Sequence, residues 1–102
     1  MRRFEDLVGC WGHHLTDDTD DFPRAVYYVS GTADQPMVKA IDRFDNEEFV
    51  ISEVVWADGV LSFRSLMPST GRTGLNRFMV EDGHVLSEFT FTVRETLRSV
   101  DP

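Results

Sequence analysis

The side chains able to do chemistry in this sequence of 102 residues are few and scattered. His13 and His14 are adjacent, and neighbours on a strand face opposite ways, so the pair cannot close on one metal ion. The third histidine, His84, sits beside an Asp-Gly dipeptide. The spacing therefore predicts no metal site, with one imidazole facing the interior and the other facing water. Parity puts His13 on the face of Trp11, which makes it the pocket candidate. Cys10 has both histidines nearby but no surrounding signature of a cysteine nucleophile, and it reads as a buried structural thiol.

Three further segments have suggestive residue types. Asp17, Asp18, Asp20 and Asp21 resemble half a calcium loop, but they lack the glycine and closing glutamate of an EF-hand, so a solvated acidic loop is expected. Pro68-Ser69-Thr70-Gly71-Arg72-Thr73-Gly74 combines hydroxyls, glycines and a guanidinium, a set that suits a carboxylate or phosphate. It lacks the lysine and following helix of a nucleotide P-loop, and its composition equally suits a simple turn; Arg72 is the residue to test with an anion. Glu53 falls by alternation on the face of Phe49, Ile51 and Val55, with Arg77 as its counterpart and Ser65 adding a hydroxyl. Such a buried pair orients a polar ligand or satisfies itself, and Glu53 is the best general-base candidate if the chain is an enzyme.

Composition removes several classes of partner. The net charge is -8, with 10 Lys and Arg scattered among 18 Asp and Glu, so no basic face exists for a phosphate backbone or an anionic membrane. No apolar run approaches the length of a membrane span. Met1-Arg2-Arg3 leads into Phe4-Glu5-Asp6, whose acids break a signal-peptide pattern. A single cysteine forbids an internal disulfide, so a cytoplasmic chain is expected. With 41% hydrophobic and 12% aromatic residues, the length suits one domain, 1–102, with one core.

The elements that must position these groups are strands. Arg3 to Val8 is long enough for one helical turn, and nowhere does helical periodicity persist. Strands are predicted at Gly9–Thr16, Arg24–Ser30, Met37–Phe44, Phe49–Ala57, Val60–Met67, Leu75–Glu81 and His84–Arg94, and Thr96–Val100 is an eighth strand or a frayed tail. Asp58-Gly59 and Asp82-Gly83, each between apolar runs, are the strongest hairpin signals, because both central residues need positive φ. The fold class is all-β: an antiparallel up-and-down meander of seven to eight short strands, expected to close into a barrel.

Alternation sorts the side chains by face. Val85, Phe89, Phe91 and Val93 form the inner face of the last long strand. The preceding three strands carry apolar groups on both faces, and Val54, Trp56, Leu66, Phe78 and Val80 read as an outer patch. Exposed patches mark partner surfaces, so a homodimer through these residues is expected.

A short helical turn, then Gly9-Cys10-Trp11, then a meander with an arginine near its end resembles the calycins, the group of lipocalins, fatty-acid-binding proteins and avidins. The closer likeness is to short lipocalin-like domains of bacteria. The resemblance implies a calycin-like barrel in which Trp11 packs at the closed end under Arg94 or Arg98. It also implies a central cavity open at one end for a small apolar molecule. The expected function is non-enzymatic binding of such a ligand, with His13, Tyr28, Glu53, Arg77 and Arg72 as polar contacts and no cofactor. Two alternatives are a small isomerase or cyclase using the buried Glu, Arg and His, and an interaction module without ligand.

Overall fold

Both Asp-Gly dipeptides make the turns they predict: Asp58 and Gly59 have φ of 55° and 77°, and Asp82 and Gly83 have 52° and 77°. In the computed structural model, residues 3–12, 25–92 and 96–101 are described. A 3-10 turn, Phe4–Leu7, precedes seven antiparallel strands: β1 (Gly9–Gly12), β2 (Ala25–Gly31), β3 (Pro36–Asp42), β4 (Val50–Ala57), β5 (Val60–Met67), β6 (Arg72–Glu81) and β7 (His84–Thr92). Arg24 and the ends of the first and last long predicted strands, residues 13–16 and 93–94, lie outside the described residues. Residues 96–100 are exposed and form no strand. Phe44, expected at the end of β3, is instead 95% exposed in a turn, because Asp42 Oδ1 accepts the Phe44 N–H at 2.8 Å and ends the strand.

Among the described residues the strands form two sheets, β1-β2-β3 and β4-β5-β6-β7, and neither closes into the expected barrel. The chain passes between them at a corner, where Phe49 N donates to Ala40 O at 3.0 Å and a lone bridge joins Ile41 to Glu48. At the opposite seam, among the described residues, no ladder joins β1 to β7. The four residues of β1 pair with β2, and a crevice of ≈ 60 Å³ lined by Trp11, Tyr27, Phe78 and Val85 lies where closure would occur.

The sheets pack through a core of Phe4, Leu7, Val29, Leu61, Phe63 and Phe78, with Ile51, Val54, Trp56 and Val80 against it. Tyr27, Phe63 and Phe78 meet edge-on or tilted with centroids 5.0–6.1 Å apart, an arrangement that adds ring electrostatics to area burial. This core corrects the predicted outer patch. Val54, Trp56, Phe78 and Val80 face inward, and only Leu66 of the five is on the outer face. Four of the five residues assigned to the dimer surface are therefore internal.

Two features of the pairing explain the error. In β4 the register shifts between Ser52 and Val55, so Glu53 and Val54 together oppose Phe63. This is a β-bulge, with Glu53 at φ 53°, and it reverses alternation beyond that point. Ile51 and Val54 therefore share the core face, while Val50 and Val55 are exposed. In β6 the inner residues are Gly74, Asn76 and Phe78, opposite to the predicted parity, because Phe78 pairs with Leu61.

Candidate functional site

The polar groups that the two sheets bring together line a cleft of ≈ 390 Å³ near the β3–β4 corner. Ala25, Tyr27 and Asp42 come from the first sheet, and Ser65, Met67, Arg72 and Phe89 from the second, with Phe49 between them. The two tight hairpins set this assembly. The Asp82-Gly83 turn registers Asn76 opposite Phe89, and residues directly opposed share a face. Asn76 therefore points inward and is 1% exposed. Its Nδ2 donates to Ser65 Oγ at 3.0 Å, which holds that hydroxyl at the cleft.

Burial pushes the Tyr27 phenol above its ordinary pKa. The Phe89 ring lies over Gly74: a Cβ on Gly74 would meet its edge at 2.2 Å. Phe89 stacks on Phe91 at 5.8 Å with 17° between planes, and the Arg72 guanidinium lies over Phe91 at 5.2 Å. Both rings are about half-exposed, at 47% and 51%.

The turn before Arg72 is tied down by its own acid. Glu47 accepts the Ser69 N–H at 2.8 Å and the Ser69 hydroxyl at 2.7 Å. Thr70 and Gly71 N–H donate to Met67 O, and Arg72 N–H donates to Thr70 Oγ1. The predicted backbone cradle for an anion is thus already filled from within the chain. What reaches the cleft is the Arg72 side chain.

The other sequence candidates do not gather here. Tyr28 is exposed on the outer face of β2, opposite Lys39, because Tyr27 and Val29 take the inner positions. Glu53, turned outward by the bulge, pairs with Arg64 rather than Arg77. Arg77 lies on the outer face of β6, 3.5 Å from its cross-strand neighbour Glu88. The buried Glu53–Arg77 pair is thus replaced by two solvent-facing pairs, and a general base at Glu53 is not in the interior. Cys10, expected to be buried, is exposed opposite Tyr28. Trp11 donates its indole N–H to Leu7 O at 2.7 Å, tying β1 to the 3-10 turn. Arg98 is exposed, and among the described residues the cation–π contact found is that of Arg72. His13, His14, Arg94 and the aspartates 17, 18, 20 and 21 lie outside the described residues. Among the described residues there is no group of three metal-ligating side chains, and no helix is long and apolar enough to cross a membrane.

Tyr27, Asp42, Met67, Asn76 and Phe89 escaped the sequence reading as a set. The signal was present for the last two, since an Asp-Gly two-residue turn fixes which residues oppose each other. The arrangement is suited to holding a molecule: a fixed guanidinium, a carboxylate, two hydroxyls and apolar walls. The chain matches no protein-family profile, no curated protein and no solved structure.

Proposed function

We propose that the protein is a non-enzymatic binder of a small, mostly apolar molecule, held in the cleft between its two sheets. The observation that carries this is the ≈ 390 Å³ cleft, with Phe49, Met67 and Phe89 as apolar wall and Tyr27, Ser65 and Arg72 as convergent polar groups. Its size lies within the range of small-ligand sites, about 300–1,000 Å³. Binding is favoured over catalysis because the Ser65 hydroxyl is engaged by the Asn76 amide. The kinship with short bacterial lipocalin-like domains belongs to this proposal. It rests on Gly9-Cys10-Trp11 following a helical turn and on the meander that comes after.

The test is a titration with Nile red, a neutral solvatochromic dye, against the wild type and Met67→Trp. The larger indole fills the cleft, so dye fluorescence is expected to rise with the wild type and to stay near background with a folded Met67→Trp variant. Equal enhancement by both proteins would place the dye elsewhere and remove the reading.

A further inference from the structure

We propose that the cleft selects small aromatic monocarboxylates, with the carboxylate on Arg72 and the ring against Phe89. The inference rests on the binding reading above and adds the chemistry of the ligand.

Arg72 is the arginine that lines the cleft. Arg3, Arg64 and Arg77 each lie within 4.0 Å of a carboxylate, whereas Arg72, like Arg43 and Arg98, forms no ion pair among the described residues. In a chain of net charge -8 the supply of acids is ample, so its charge is left available by placement rather than by scarcity. The contact with Phe91 holds the guanidinium at the rim of the cleft, where its N–H donors suit a planar anion. A carboxylate matches that edge with two parallel hydrogen bonds, which a phenol or alcohol cannot reproduce.

The ring is indicated by the wall beside the cation. Phe89 continues the stack from Phe91 into the cleft, half-exposed and lying over Gly74. A planar ring offers the largest contact with such a wall, and offset stacking adds to its area burial. A single negative charge is indicated by Asp42, whose carboxylate lines the same cleft and opposes a second anion. Tyr27 and Ser65 supply hydroxyls within the same lining.

The experiment is a fluorine NMR titration of the full chain with two probes of one shape, para-trifluoromethyl-phenylacetate and the corresponding phenylethanol. The wild type is expected to bind both, with the acid about tenfold tighter, the worth of one charge-assisted contact at a partly exposed site. Arg72→Gln is expected to erase the preference for the acid over the alcohol, and Arg72→Lys to keep part of it. Phenylene diacetate is expected to displace the acid more weakly than phenylacetate does. Equal affinity for acid and alcohol in the wild type, or a preference that survives Arg72→Gln, overturns the carboxylate assignment and leaves the cleft reading standing. A diacid that competes as well as the monoacid overturns the single-charge selection. Binding of neither probe at millimolar concentration overturns the cleft reading itself.

Discussion

Gly74→Ala separates the cleft from the stability of the fold. Gly74 has ordinary extended backbone, so alanine is allowed there and gains about 0.5–1 kcal/mol of strand preference over glycine. Its Cβ, however, would stand 2.2 Å from Cε1 and 2.5 Å from Cζ of Phe89. An ordinary carbon–carbon contact lies at about 3.5–4.0 Å, so the ring must retreat by about 1.5 Å. The obstruction is the far edge of a side chain that is 47% exposed, and it can swing toward solvent without moving the backbone. The cost is the stack on Phe91, about 0.5–1.5 kcal/mol, and some lost ring contact. Loss and gain nearly cancel, so stability is expected to stay within about 1 kcal/mol, or about 4–8 °C in Tm. Ligand affinity should nevertheless fall, since the displaced ring is a wall of the cleft. Thermal unfolding and the fluorinated-probe titration read the two effects separately. In a Phe89→Ala background the same substitution meets no ring and should be neutral or stabilising, a coupling that a double-mutant cycle isolates. A Tm drop beyond about 10 °C for the single variant, or unchanged probe affinity, would refute the placement of Phe89 over Gly74.

Two further outcomes test the surroundings of the site. Glu53→Gly suits the left-handed backbone of the bulge and removes an ion pair between largely exposed partners, which contributes little; it is expected to match or exceed the wild type in urea. Glu53→Val places a β-branched residue at φ 53° and should lose about 1–2 kcal/mol, and the reverse order would contradict the bulge. Tyr27 has its pKa raised in the folded state, so its contribution is complete below the unfolded value of 10.0 and is lost as pH rises through the folded value. The urea midpoint of the wild type should therefore fall above pH 10 more steeply than that of Tyr27→Phe, and parallel curves would show that the phenol is not buried as described.

The sequence by itself determined the all-β class, the meander, the hairpin positions and the bounds of β5, because each rests on local signals. Asp-Gly dictates its own turn, and alternating apolar residues dictate strands. It also singled out Arg72, which the cleft retains. The tertiary structure decided which face of each strand is inside. In β4 one residue in excess at Glu53 and Val54 reverses the alternation, and no local pattern marks where that residue falls. Simple alternation thus puts Phe78 and Trp56 on an outer patch, whereas Phe78 belongs to the core and Trp56 packs against it. Whether the meander closes was equally nonlocal. It depends on a ladder between the first and last strands, and among the described residues β1 pairs with β2 and not with β7. The same open geometry leaves the cleft at the corner between two sheets rather than at the centre of a barrel. Tyr27, Ser65, Asn76 and Phe89 meet there because packing joined segments far apart in the chain, and spacing along a sequence records no such meeting.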